Sequence, residues 1–228
     1  MASTLFLLCA LVLISQTKSF PNATTSNRRR IDFHGKSYHS VRIKKPKSSS
    51  IQQNLPKWLK SNHSHVHLLG SSQVSRSKDG IYKSVLPSLS WFGMELIPTF
   101  FQRITFKEYN DDDDSLAVNV SIEDSQVSIL GKGEEDFESS NGGLIEKIMA
   151  KCSFRGGNEI RCSPIGDDWE LSSQLTLKLE VPLTSRLIIL PPGMNSIGSR
   201  IVRKETEKKV KENLTQLVKE YHASYASK

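Results

Sequence analysis

The sequence predicts an α+β fold: a curved antiparallel sheet of six to eight strands packed on one long C-terminal helix. Three observations predict it. Apolar residues recur at every second position in several stretches from about residue 65 to residue 183, the period of half-buried strands. After Ser196 the period changes to three and four and holds to about Tyr225, the period of an amphipathic helix. Strands gathered before a single helix, without alternation of the two, fit an antiparallel sheet with its helix on one face.

The chain of 228 residues is long enough for one domain, or two small ones. Its charged fraction of 24% is near the globular average, which argues against disorder throughout. Three cysteines exclude a disulfide-dense scaffold. No apolar run reaches the roughly 18 residues that a membrane span requires.

Residues 1–60 hold 11 basic side chains against the single acid Asp32, whereas the remainder carries a small net negative charge. The net charge of +7 therefore describes the N-terminal segment, and nucleic acid is not an expected partner of the folded part. The basic, Ser-rich, acid-poor composition reads as a disordered transit segment, with the folded domain expected over residues 61–228. The alternative is a secretory signal. Leu5 to Ile14 has the length of its apolar core, and the small residues Thr17 and Ser19 stand where cleavage would fall. Asn22, Asn62, Asn119 and Asn213 head N-x-Ser/Thr triplets, which matter only on the secretory route.

Val66 to Val74 is a weak strand, and the Lys78-Asp79-Gly80 turn leads into Ile81 to Leu86. Trp91 to Phe106 is aromatic and β-branched. Pro98 interrupts it, so it reads as two strands or one bent edge strand. The acidic run Asp111 to Asp114 is a solvated loop. Leu116, Val118, Val120 and Ile122 alternate with mostly polar residues as one strand, Val127 to Leu130 forms another, and the Gly-rich stretch 131–143 is a loop.

Between residues 147 and 163, Ile148, Ala150, Cys152 and Phe154, then Ile160 and Cys162, all occupy even positions. A three-residue Gly156-Gly157-Asn158 hairpin loop would keep this parity and set Cys152 opposite Cys162. The plain reading is two buried hydrophobes; the sharper one is a redox-sensitive pair. Leu171, Leu175, Leu177, Leu179, Val181 and Leu183 mark the clearest strand. Pro191-Pro192-Gly193 then forms a rigid connection, and Asn195 or Ser196 is placed to cap a helix of about 45 Å.

A long sheet that hides its apolar face against one helix must curl, and the gap so enclosed is a default site for a small apolar ligand. The candidate lining residues are Trp91, Phe100, Phe101, Ile148, Phe154, Leu177, Leu179 and Val210. Arg200, Arg203 and Lys204 make the start of the helix basic, as an ordinary solvated face or as a dock for an anionic membrane surface or protein partner.

His63, His65 and His67 would share one face of a strand, as metal ligands could. With no carboxylate or cysteine beside them in sequence, they read as a solvated linker. No Gly-x-Ser-x-Gly, His-Glu-x-x-His, Cys-x-x-Cys, P-loop or dinucleotide motif occurs, so no catalytic residue and no metal site is expected and no cofactor is named.

The Leu-Glu-Val-Pro-Leu strand end at residues 179–183, the Ile-Leu-Pro-Pro connection at 189–192 and the Asn-Ser-Ile-Gly-Ser entry to the helix at 195–199 resemble an uncharacterised plant and cyanobacterial family, domain of unknown function number nineteen-ninety-seven. The Asp79-to-Pro87 segment resembles that family's opening strands, and the likeness covers about Leu68 to Tyr221. It implies a helix-grip architecture of the START and pathogenesis-related allergen type, a plastid address and a non-catalytic role in holding a lipid, pigment or other hydrophobic molecule. An interaction factor with a filled core and, less readily, a cyclase-type enzyme are the alternatives. The grip pattern includes a pair of short helices after the first strand. They are not evident in this sequence, so they either lie within residues 31–65 or are missing.

Overall fold

The computed structural model describes residues 30–45, 54–71, 73–91, 94–108, 115–129, 151–182 and 194–226. In chain order these form β1 (Arg30–Lys44), α1 (Leu55–Lys60), α2 (Asn62–Leu68), β2 (Gln73–Arg76), β3 (Tyr82–Val85), β4 (Leu89–Trp91), β5 (Met94–Glu108), β6 (Leu116–Ile129), β7 (Ser153–Ile165), β8 (Asp168–Pro182) and α3 (Met194–Ala226). The strands make one antiparallel sheet in the order β1-β8-β7-β6-β5-β3-β2, with β4 paired to β5. The long terminal helix lies on one face, so the fold is the α+β arrangement that the period change predicts, and it is helix-grip-like, as the resemblance implies. No helix among the described residues is long and apolar enough to cross a membrane.

The first strand corrects the expected boundary at residue 60. β1 pairs with β8 along its whole length, from Arg30 opposite Pro182 to Lys44 opposite Asp168. Its odd residues Ile31, Phe33, Gly35 and Ile43 are buried, while Arg30, His34, Lys36, Arg42 and Lys44 point outward and are exposed. Four of the 11 basic side chains of this segment thus lie on the wet face of a strand. Gly35, Ser37 and His39 interrupt the apolar alternation on the other face and hide it from a pattern reading. Residues 1–29, which include the Leu5 to Ile14 stretch, lie outside the described residues.

The two short helices of the grip pattern do exist, between β1 and β2. Asn54 caps α1 by accepting the Lys57 N–H at 3.2 Å, and Pro56 stands in the first turn. Trp58 meets Tyr221 of α3 edge-on, with ring centroids 5.6 Å apart. α2 carries the histidine trio, which corrects both the strand expected from Val66 and the solvated linker. On a helix the three rings fan out: His63 is exposed, His67 is half-buried and His65 is buried.

β7 corrects the expected hairpin. It runs unbroken through Gly156 and Gly157, paired with β8 along its length and with β6 over its middle. A straight strand conserves even parity as well as a three-residue loop does, and this is why the pattern misled. The glycines are needed because the neighbouring strands come close. A Cβ on Gly157 would stand 2.5 Å from the Val120 carbonyl oxygen, and Gly156, at φ +134°, faces the Thr176 carbonyl in the same way. Cys152 and Cys162 are therefore not cross-strand neighbours. They stand ten residues apart on one extended chain, roughly 33 Å, in different parts of the core.

β5 continues through Pro98, which is not at the sheet edge: it pairs with Val127 of β6. The Pro98 carbonyl accepts the Leu86 N–H at 2.9 Å, so its missing N–H faces the junction between β3 and β4, and the reciprocal bond to Leu86 is absent just where the β3 ladder ends. The two strands expected from Leu116 to Leu130 are one strand with a bulge. Phe101 pairs with Asp124 and Gln102 with Ile122, leaving Glu123 extra. Inward residues are even before the bulge (Leu116, Val118, Val120) and odd after it (Ser125, Val127, Ile129), and the sheet bends there.

α3 packs along β1 and β8 through Val202, Thr206, Val210, Leu214, Leu217 and Tyr221, all buried. The Thr206 hydroxyl, in the polar gap of the helical stripe, donates to the Arg203 carbonyl at 2.8 Å and needs no other partner. Two glycines set the approach: the Phe33 ring lies over Gly198, and Val202 lies over Gly35. The Ser199 hydroxyl accepts the His34 N–H at 3.2 Å on the open side of β1, so the helix covers an edge that would otherwise offer free ladder bonds.

Candidate functional site

The sheet register fixes which side chains stand beside one another on the helix-facing surface. The central row crosses from Gly35 of β1 through Leu177, Gly156, Ile122 and Gln102 to Tyr82 of β3. The next row holds Ser37, Leu175, Asn158, Val120 and Ile104. To either side the buried side chains divide into two clusters. One joins α1, α2 and the C-terminal half of α3 to Ile43, Trp169, Leu171, Cys162, Ile160 and Val118. The other gathers Ile31, Phe33, Phe100, Val127, Cys152, Phe154, Leu179 and Val202.

Where the clusters meet, Leu175 and Ile104 pack against the first and Leu177 and Ile122 against the second, yet all four are only half-buried, although the first, third and fourth stand on interior strands of an eight-stranded sheet. The cause is steric. α3 leans toward β1 and β8 and away from the middle of the sheet; Gly35 and Gly156 open no space themselves, because Val202 covers the first and the Thr176 carbonyl crowds the second. The surface left accessible is mostly aliphatic, as a site for an apolar molecule needs.

Two polar side chains flank this gap. Gln102 Oε1 accepts the Ser84 hydroxyl at 2.6 Å, and Asn158 Oδ1 accepts the Ser173 hydroxyl at 2.6 Å. All four residues are buried. With both carbonyls occupied, the Gln102 and Asn158 NH₂ groups have no partner among the described residues, yet neither nitrogen is sealed off from accessible space. They stand two strand spacings apart across β6 and one row apart along it, roughly 12 Å.

At the far end of the central row the Tyr82 hydroxyl bonds His65 Nδ1 at 2.8 Å, Phe106 stacks on the imidazole, and the Arg76 guanidinium lies 5.3 Å from the Tyr82 ring. Burial, and then the Arg76 charge, hold the imidazole pKa below its ordinary value, partly opposed by the Lys60 backbone, so His65 is neutral at physiological pH. Its Nε2 has neither a hydrogen-bond partner nor accessible surface. No group of three or more His, Cys, Asp or Glu among the described residues is placed to hold a metal ion.

The expected lining residues fall in different places. Leu177 is in the gap. Phe100, Phe154 and Leu179 lie at its border inside a sealed cluster, the two rings edge-to-face at 5.4 Å, and Val210 is wholly buried under the helix. Phe101, one residue from Phe100, lies on the opposite face and does not line the gap. Ile148 lies outside the described residues, as does the side chain of Trp91. Burial pushes the Cys152 thiol up to about 12, so both position and chemistry speak against a redox pair. Arg200, Arg203 and Lys204 are all exposed. Sequence reasoning missed Gln102 and Asn158. The available signal was a polar residue at an inward position between Phe100 and Ile104; Asn158 was hidden by its assignment to a turn.

On the opposite face, Lys178 bonds Glu180 at 2.7 Å and Asp32 at 2.9 Å, and Arg155 and Arg30 approach Glu180 at 3.4 and 3.8 Å. Arg30 Nε is also 3.4 Å from Asp32 Oδ1, within ion-pairing range but not aligned for a hydrogen bond. The Lys178 ammonium depresses the Glu180 pKa, and Glu180 and then Asp32 raise that of Lys178. The cluster ties β1, β8 and β7 together away from the gap.

No family model matches the chain, and no curated protein matches it. Solved structures similar to it include a conserved protein from Geobacillus kaustophilus (13% identity, 84% of this chain and 97% of that one, TM-score 0.43). A START superfamily protein from Mycobacterium smegmatis is similar at 9% identity over 81% of this chain and 97% of that one, with a TM-score of 0.34. The human StarD13 lipid transfer and protein localization domain is similar at 12% identity over 91% of this chain and 95% of that one, with a TM-score of 0.38.

Proposed function

We propose that the protein is a non-catalytic carrier that holds an apolar small molecule in the gap between its two core clusters. The observation that carries this reading is the half-buried state of Leu175, Leu177 and Ile122 at the centre of the helix-facing surface, with sealed clusters on both sides. The unpartnered NH₂ groups of Gln102 and Asn158 favour a molecule with a hydrogen-bond acceptor at one end: a lipid or pigment bearing a carbonyl, carboxyl or hydroxyl group. A non-catalytic role is favoured because the one buried imidazole, His65, presents no nitrogen that a substrate could reach. The plastid address belongs to the same proposal. It rests on the composition of residues 1–29 and on the resemblance to the plant and cyanobacterial family.

Native mass spectrometry of the full chain purified from plastids tests the reading. The expected spectrum shows the protein with one small molecule attached, and the Gln102→Leu/Asn158→Leu variant loses that adduct while remaining folded. A protein that is repeatedly empty would end the proposal.

A further inference from the structure

The N-terminal half of α3 carries a surface that the proposed carrier role does not use. Val202, Thr206 and Val210 face the sheet, so Ile197, Arg200, Ile201, Lys204 and Lys208 share the opposite side of the helix. Ile197 is 46% exposed and Ile201 43%, one turn apart. Arg200 and Lys204 stand beside them, Arg203 projects from the other flank of the helix, and Glu205 follows Ile201 by one turn; Arg200 and Lys204 form no ion pair with any described residue. Pairing begins only further along, where Lys208 and Lys209 meet Glu212 and Lys211 meets Glu207. Between Met194 and Lys211 six cations stand against two carboxylates, and no acid occupies the first turn.

The first turn carries no carboxylate to offset the partial positive charge of the helix end, so this end of α3 is electropositive. Cations without an ion-pair partner among the described residues, beside two exposed isoleucines and outnumbering the carboxylates, complement a surface that is negatively charged and soft enough to admit side chains. We propose that this face of α3 docks the protein on an anionic lipid bilayer, with Ile197 and Ile201 entering between headgroups and Arg200, Lys204 and Lys208 contacting their phosphates.

The test is sedimentation of the full chain with vesicles of phosphatidylcholine alone or mixed with phosphatidylglycerol. The expected result is binding to the anionic vesicles only, weakened by salt. It should fall on the order of a hundredfold in Arg200→Glu/Lys204→Glu, and fall again in Ile197→Ser/Ile201→Ser, while Arg203→Glu on the other flank has a smaller effect. Circular dichroism confirms that each variant keeps its helix. An Ile201→Trp reporter, read against the native background, should be quenched by brominated acyl chains, which separates this face from any contribution of Leu5 to Ile14. An unquenched reporter, or charge reversal without effect, overturns the proposal. Binding that follows the cations but ignores the isoleucines also overturns it, and assigns the patch to a soluble polyanion.

Discussion

Gly35 determines how close α3 can come to the sheet. A methyl group there would stand 2.9 Å from the backbone carbonyl of Val202, and a helix backbone cannot yield as a side-chain tip can. Gly35→Ala is expected to cost about 1–3 kcal/mol, the usual penalty of overpacking, read as a lowered midpoint of thermal unfolding. His65 makes stability depend on pH. Its folded pKa lies below the ordinary value, so the unfolded chain takes up the proton first. The contribution is whole above about pH 6.5 and is lost as pH falls through the folded pKa. Denaturant titrations at neutral and mildly acidic pH should show this loss, and His65→Gln should flatten it. Unchanged pH dependence in that variant would move the titration to another group.

At the scale of elements, β7 is the sharpest departure from expectation. If it is a single strand, the amides of Gly156, Gly157 and Asn158 lie inside the sheet and should exchange slowly with deuterium; a hairpin loop at the same residues would exchange within the dead time. The same continuity predicts that thiol reagents leave Cys152 unlabelled in the folded protein and that no bond forms between it and Cys162. The legibility of each element follows from its chemistry. β8 and α3 were plain because Leu171 to Val181 and Val202 to Tyr221 keep strict periods of two and of three to four. β6 looked like two strands because Glu123 shifts the parity at a bulge that only its partner β5 reveals. β1 was lost because its inward face carries Gly35, Ser37 and His39, whose small or polar side chains make sense only beside the helix and the gap. Gln102 and Asn158 were illegible for a related reason: their serine partners are 18 and 15 residues away in sequence.

For the whole molecule, the account comes down to whether the space between sheet and helix can be filled from outside. The two core clusters hold the frame, and the half-buried Leu175, Leu177, Ile122 and Ile104 leave aliphatic surface between them. A packed core would reject a larger side chain there, whereas an open gap would accept it and lose its ligand. Titration of the full chain with cis-parinaric acid, beside the same titration of Leu177→Trp, measures this most directly. The account predicts a saturable rise in probe fluorescence with one molecule per chain, and a folded Leu177→Trp protein that has lost it. A wild-type chain that gives no saturable signal, or a Leu177→Trp chain that binds the probe as well as wild type, would contradict it.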